Sequence, residues 1–598
     1  MNYNFEPEKY KKELKGILFD ALNLEKFNKK KFEKIVRNYP KDGNKVFSKD
    51  QIIRGIEYLV QSDFVPEYQV VKCEELISKI RMKPTRSISG VTTVTVLTKP
   101  FACPGQCIFC PNDVRMPKSY IATEPGAQRA LFNRFSPYLQ VYGRLQAYKN
   151  NGHPIEKIEL LILGGTWSYY TEKYKLWFIH ECFRAMNDFS LLSAPSAEED
   201  VTLDHTIKEE LNNDINDTLR QKIGNKPYNQ LIVSKEYKEL FAKNIVDETE
   251  VSWEDLFKQQ EINSHGIVRC VGLVLETRSD VINEKETLMM RQLGATKIQV
   301  GIQTLDDKIS KMNKRGENKD QVAKAFEFLR AAGFKIHAHM MPNLYGATPE
   351  IDLKVYKELF DSLDFKPDEL KIYPTSIIKH TELSDRWQEG KFIPYTTEEL
   401  IKLLADMMEQ TPEYCRITRV IRDIPSTEIE SGNLTTNLRE VVEHILKKDG
   451  RANPNIRARE IKGKQVSFAD LKLDIIEYET KNTTEYFLQY ITEQRQIAGF
   501  LRLSIPKENK ENGITPELNN AAIIREIHVY GPSLNLGKDS SGQAQHLGLG
   551  TKLIERAKQM AKEKGFKKLA VISSIGTREY YEKRGFELGE FYQMAEID

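Results

Sequence analysis

Between about residues 91 and 385, short apolar runs alternate with amphipathic stretches. The runs are VTTVTVL from Val91, IELLIL at 158–163, CVGLVLE at 270–276, KIQVGIQ at 297–303, FKIHAHMMP at 334–342 and ELKIYPT at 369–375. Strand-length runs separated by segments of helical spacing predict α/β architecture with a partial parallel (β/α) barrel. A second pattern occupies 466–598. There, alternating strands lead into an amphipathic helix from Gly550 to Lys564, a strand at KLAVIS and a last helix near Tyr580 and Tyr581, the order of a compact mixed α/β domain. Residues 1–90 have helical spacing with lysine-rich faces, Lys11 and Lys12 and the KKK at 29–31, and predict a basic helical region.

Two stretches break these rhythms. Residues 187–266 are acidic, rich in Asn and too long for a plain loop, so they read as an insertion in the 91–385 domain. Residues 386–465 read as a connecting segment. A chain of 598 residues exceeds what one core sustains, which fits several domains. No run of about 18 apolar residues occurs, and the N-terminal MNYNFEPEKYKKELKG mixes acids with bases around no apolar core. A soluble, cytoplasmic protein is therefore expected.

The net charge of +2 conceals an uneven distribution. The first 100 residues carry 20 Lys and Arg against 13 Asp and Glu, whereas 196–266 carry 8 against 16. A basic N-terminal arm, with Lys83 and Arg86 at its end, suits a polyanion such as RNA; a solvated helix face is the alternative.

Seven cysteines are too few for a disulfide framework in a chain this long. Three of them, Cys103, Cys107 and Cys110, stand as CxxxCxxC in FACPGQCIFCP, directly after an expected strand. Such a loop can turn three thiolates toward a 4Fe-4S cluster and leave the fourth iron without a protein ligand. An open iron chelates S-adenosylmethionine and delivers one electron to it, releasing a 5′-deoxyadenosyl radical. Zinc wants four ligands, and no fourth Cys or His lies nearby. The ends of later strands carry suitable partners for S-adenosylmethionine: Gly164, Gly165 and Thr166 close IELLIL, where backbone groups can hold the methionine amine, Glu276 and Arg278 end the next strand, and Gln303 ends the one following.

Near the C-terminus, QHLGLG opens the long helix after a strand at 523–530. Glycines at a helix N-terminus let backbone amides face a pyrophosphate. A phosphate loop would need a Lys-Ser/Thr ending that is absent here. The flanking strands and the helix carrying Tyr580 and Tyr581 instead match the order of a GNAT-type acetyltransferase.

With both motifs on one chain, in this order, the sequence resembles the catalytic subunits of the Elongator complex, the tRNA carboxymethyluridine synthases. The resemblance runs from about residue 80 onward through KPTRSISG, FACPGQCIFCP, KIELLILGGT, GLVLETRSD, VGIQT, KRGENKDQVAKAF, LKIYPT, RVIRDIPS, REIHVYG, QHLGLGT and ISSIGTREYYEKRGFE. It implies cluster ligands Cys103, Cys107 and Cys110. It implies acetyl-CoA contacts at Lys157, at Glu526, Ile527, His528 and Val529, at Leu549, Gly550 and Thr551, and at Tyr581. Lys157, Tyr581, Glu276 and Arg278 are the candidate catalytic side chains. Lys157 belongs to the first domain, so the coenzyme is expected between the two.

Members place cysteines for a structural zinc where this chain has Asn453, Asn455 and Ala458, and no zinc is carried over. The partners implied are tRNA and acetyl-CoA, with Elongator-type accessory subunits or a homodimer. The implied reaction takes a hydrogen from the acetyl methyl, joins that carbon to carbon five of the wobble uridine and hydrolyses the thioester. A protein lysine acetyltransferase with a structural cluster is the rival reading, and a tRNA-binding scaffold with decayed sites the weaker one.

Overall fold

The structure, a computed structural model, describes residues 5–82, 89–191, 227–241, 245–461, 466–507, 514–530 and 548–597. Lys83 and Arg86 lie outside them.

The N-terminal region is a bundle of α1 (Lys11–Leu22), α2 (Lys29–Asn38), α3 (Lys49–Gln61) and α4 (Glu67–Ile80). Asn28 caps α2 by accepting from the amides of Lys30 and Lys31, and Ser48 with Gln51 forms a capping box on α3. Phe32 and Val36, four residues apart on α2, turn into a core with Leu14, Ile17, Ile53, Ile56 and Leu59. This spacing leaves the lysines of α2 on the opposite, solvated face.

The central domain holds seven parallel strands in sequential order: β1 (Thr92–Leu97), β2 (Lys157–Leu163), β3 (Arg269–Thr277), β4 (Lys297–Gln303), β5 (Lys335–Met340), β6 (Glu369–Ile372) and β7 (Arg416–Arg419). Parallel neighbours in sequence order require crossovers of one hand, so the helices collect on one face and the sheet curls away from them. Val94, Val96, Ile158, Leu160 and Ile162 face the helices and are buried in one core. The alternate positions face the concave side, where Thr93 donates to Glu159 at 3.3 Å and Lys297 meets both Glu159 and Glu369. The expected partial parallel barrel is therefore present. The segment 386–465, read from the sequence as a connection, supplies its seventh strand.

The C-terminal sheet contains β8 (Lys472–Glu479), β9 (Thr483–Ile491), β10 (Ile497–Pro506), β11 (Ala521–Val529), β12 (Lys568–Val571), β13 (Glu587–Leu588) and β14 (Gln593–Glu596), in the order β8-β9-β10-β11-β12-β14-β13. All pairs are antiparallel except β11 with β12. The helix Leu549–Glu563 packs on this sheet through Leu549, Leu553, Ile554 and Ala557.

The two sheets meet in a polar seam. Ser574 Oγ donates to the carbonyl of Cys270 at 2.8 Å, Tyr592 to that of Ala332 at 2.7 Å, and Arg525 pairs with Asp368 at 2.7 Å. Cys270, Ala332 and Asp368 all stand at or just before the starts of β3, β5 and β6. The C-terminal domain thus seats on the N-terminal ends of the barrel strands.

Candidate active site

The cysteine loop leaves the other end of the barrel, after β1, beside the end of β2. It is pinned from several sides. The amide of Ile108 donates to the carbonyl of Asn313 at 3.2 Å, and the amide of Leu383 to that of Ile108 at 3.0 Å. The side chain of Asn229 accepts from the Cys103 amide at 3.0 Å and donates to the Cys103 carbonyl at 2.6 Å. Tyr228, buried beside it, donates to the Met116 carbonyl at 2.6 Å. Residues 227–241, inside the stretch read from the sequence as an insertion, therefore brace the loop, a contact no composition signal announces.

The donor set fits a cluster. Cys103 Sγ lies 3.4 Å from the Thr166 hydroxyl. A hydrogen bond with Cys110, and the fields of Arg315 and Arg278 acting against burial, hold the Cys107 thiol well below its ordinary value, while the same bond and burial hold Cys110 well above its own; with both sulfurs ligating that bond is gone, and the two arginines are what still favours the Cys107 thiolate. Among the described residues, no three His, Cys, Asp or Glu draw together as ligands of one metal ion. A four-iron cube places each thiolate on its own iron and spreads its ligands further than one ion does.

The strand ends surround this loop. Gly164 has φ +127°, and a Cβ there would stand 2.2 Å from Thr98 Oγ1, so only glycine lets the chain turn against β1. The Gly165 amide donates to the same hydroxyl at 3.0 Å. Gln303 ends β4 with φ +59°, and its Oε1 is buried without a partner among the described residues, an acceptor suited to an incoming hydroxyl or amine. Glu276, next to last in β3, faces His339 at 3.7 Å, and burial raises its carboxyl above the usual range. On the same concave face, burial lowers Lys371 to about 8, and the ammonium bonds Gln299 at 2.5 Å. Arg278 is turned from this face and engages Asp280 and Cys107.

The coenzyme candidates lie at the opposite end. The ladder between β11 and β12 stops at Ile524 and Val571, while β11 runs on to Val529. The strands part there, leaving Glu526, Ile527, His528 and Val529 half-buried along a cleft. A bulge at Arg502, paired with Glu526, adds to the twist. An extended amide-bearing arm can lie along such a strand as an added edge. His528 Nε2 is buried without a partner among the described residues, and burial lowers the imidazole to about 4, so it remains neutral.

The helix Leu549–Glu563 starts at the same cleft, capped by Gly548. Leu549 is fully buried and offers its backbone alone. The Thr551 hydroxyl accepts from Arg584 at 3.0 and 3.2 Å, and that guanidinium lies 3.6 Å over the Tyr580 ring. A Cβ on Gly550 would meet the Tyr580 hydroxyl at 2.3 Å. Tyr580 is therefore the tyrosine at the helix entry, whereas the ring of Tyr581 is buried against Tyr580 and Phe586. Residues 531–547, which include Gln545 and His546, lie outside the described residues. Lys157 starts β2 opposite Arg269. Burial and then Arg269 lower its ammonium below the ordinary value.

A curled parallel sheet with three cysteines after its first strand, joined to a splayed sheet with a glycine-led helix, defines a radical S-adenosylmethionine domain fused to a GNAT acetyltransferase domain. Family comparison agrees. The Radical SAM superfamily matches residues 248–358, the Radical_SAM C-terminal domain 367–448 and the Acetyltransferase (GNAT) family 456–586. The chain is 36% identical over 527 residues to the tRNA uridine(34) acetyltransferase of Methanocaldococcus jannaschii, covering 86% of this chain and 85% of that one. It is 31% identical over 542 residues to Elongator complex protein 3 of Saccharomyces cerevisiae, covering 87% and 86%. Among solved structures, the archaeal Elongator protein 3 of Methanocaldococcus infernus, lacking N-terminal residues 1–46, superposes with TM-score 0.65 at 31% identity, over 85% of this chain and 100% of that chain. The chain belongs to the family of the tRNA uridine(34) acetyltransferases and Elongator complex protein 3.

Proposed function

We propose that this enzyme joins a carboxymethyl group from acetyl-CoA to carbon five of the wobble uridine of tRNA. The observation that carries the reading is the placement of two sets of groups at the two ends of one barrel. The cysteine loop and the ends of β2, β3 and β4 stand at one end, and the GNAT cleft with Lys157 at the other.

Bound by Cys103, Cys107 and Cys110, a 4Fe-4S cluster with one open iron supplies reductive cleavage of S-adenosylmethionine, and with it a hydrogen-abstracting radical. The chain's own groups handle the rest. Gly164, Gly165 and Thr166 hold the methionine amine of S-adenosylmethionine at the strand ends, Gln303 gives it a further polar contact, and Glu276 orients it. The helix at Gly550 and Thr551 takes the pyrophosphate, and the strand Glu526–Val529 the extended arm of the coenzyme. Lys157 offers a cation near the start of β2.

From Lys157 to Leu163, β2 spans about 20 Å, so the acetyl group must reach along the concave face to meet the radical. The domain seated under the barrel holds the coenzyme for that approach; the adduct then gives up the carbon-five proton to a base and one electron to a one-electron iron–sulfur acceptor, and water cleaves the thioester to release coenzyme A. A lysine acetyltransferase would need neither the concave polar face nor a coenzyme aimed into it.

The test is a competition between acceptors. The protein, reconstituted without oxygen, is given acetyl-CoA labelled in its methyl carbon together with tRNA and a lysine-bearing histone peptide. Label is expected in tRNA and only when S-adenosylmethionine is present. Label in the peptide, independent of S-adenosylmethionine, would establish the lysine acetyltransferase instead.

A further inference from the structure

Two arginines converge on the sulfur of a single cysteine. Arg278 Nη1 stands 3.9 Å and Arg315 Nη1 3.7 Å from Cys107 Sγ. Their side chains are only 7% and 6% exposed. Neither is free to turn away. Arg278 grips both oxygens of Asp280, at 2.9 and 2.7 Å, and donates to the Arg315 carbonyl at 2.8 Å. Arg315 is fixed by Glu317 and by the carbonyl of Gly301, and Glu317 in turn accepts from Ser279 at 2.8 Å. The loop is also shaped to admit them, since a Cβ on Gly105 would stand 2.4 Å from Arg278 Nη1.

We propose that Arg278 and Arg315 are positioning residues that set the reduction potential of the iron–sulfur cluster through Cys107, an inference that rests on the three cysteines holding that cluster. Reduction transfers one electron from a one-electron flavin or iron–sulfur donor to the cluster, and no bond forms or breaks. The thiolate sulfurs share the added negative charge. Hydrogen bonds from a cation strengthen as their acceptor gains charge, and in a dry site they are poorly screened. Two fixed guanidiniums on one sulfur therefore stabilise the reduced form more than the oxidised one. Hydrogen bonds to the sulfurs are a recognised control on such potentials.

The opposing carboxylates explain why the arginines stay aimed. Asp280 and Glu317 offset two positive charges that would otherwise be buried unpaired. They touch the sides of the guanidiniums and leave one nitrogen of each for the sulfur.

The experiment is a potentiometric titration of the reconstituted full chain, followed by electron paramagnetic resonance, with iron content measured in parallel. Arg315→Gln is expected to keep its iron but to be roughly tenfold harder to reduce, a shift of about 59 mV to lower potential for one electron. Arg315→Lys, which keeps a cationic donor, should recover most of the shift. Gly105→Ala displaces Arg278 without altering either arginine and should move the potential in the same direction, which decides the matter should Arg315→Gln fail to fold. A full cluster with an unchanged potential in the folded variants would overturn the inference, whatever happens to activity. A wild-type chain that assembles no four-iron cluster would overturn the assignment beneath it, and the iron measurement tells the two failures apart.

Discussion

Lys335, the first residue of β5, and Glu526, on β11 of the other domain, meet at 2.5 Å across the seam. Glu526 also accepts from Arg502 at 2.8 Å, and the three side chains are 16%, 10% and 1% exposed. The strand assigned to the coenzyme is thereby tied to the floor of the barrel. Removing the carboxylate takes the nearer partner from two buried cations, which keep only Glu369 at 3.6 Å and Asp368 at 3.4 Å, so Glu526→Ala is expected to lower stability by about 2 kcal/mol. Equilibrium denaturation of the intact chain measures this. A variant within about 0.5 kcal/mol of the parent would mean the seam does not depend on the pair.

Asn229 grips both backbone groups of Cys103. Asn229→Ala should weaken the loop by about 1–2 kcal/mol and hasten iron loss to a chelator roughly tenfold, without changing the number of irons first bound. An unchanged rate of loss would make the contact incidental.

Substituting Val at Gly550 drives a side chain into the Tyr580 hydroxyl and crowds the helix entry. Acetyl-CoA affinity should fall roughly tenfold or more, about 1.4 kcal/mol, while the cluster absorbance stays as in the parent. Unaltered binding by calorimetry would place the coenzyme elsewhere.

His265 bonds Glu579 at 2.8 Å across the seam, and that bond raises the imidazole above 6.5. A group whose value is raised on folding stabilises fully below its unfolded value and loses that contribution as pH climbs through the folded one. The stability deficit of His265→Ala should therefore be present below pH 6.5 and shrink above it. His265 is 57% exposed, so the effect will be small and sensitive to salt. A deficit that grows with rising pH would contradict the assignment.

Much of this architecture is legible in the chain itself. Six of the seven barrel strands are announced by apolar runs, because each buries one face against helices. The seventh, Arg416–Arg419, is the tetrapeptide RITR with one apolar side chain between charged ends, and periodicity cannot detect it. The cysteines and the strand-end Gly164, Glu276 and Gln303 stand out by position. Arg315 does not, since it lies in a loop 12 residues beyond Gln303 and acquires its partner Cys107 only in the fold. Asn229 is hidden for a related reason, in an acidic stretch whose composition suggests solvent rather than a contact. The separation of Lys157 from the cysteines also emerges only from strand direction, because the two stand at opposite ends of neighbouring parallel strands.

A carbon–carbon bond from the acetyl methyl to the wobble base is read by mass spectrometry of the wobble nucleoside after reaction with acetyl-CoA labelled in the methyl carbon. A carboxymethyl group on carbon five of uridine is expected, with the label on the carbon attached to the ring, and none with Cys107→Ala. An unmodified uridine while S-adenosylmethionine is being cleaved, with label recovered on lysine, would contradict it.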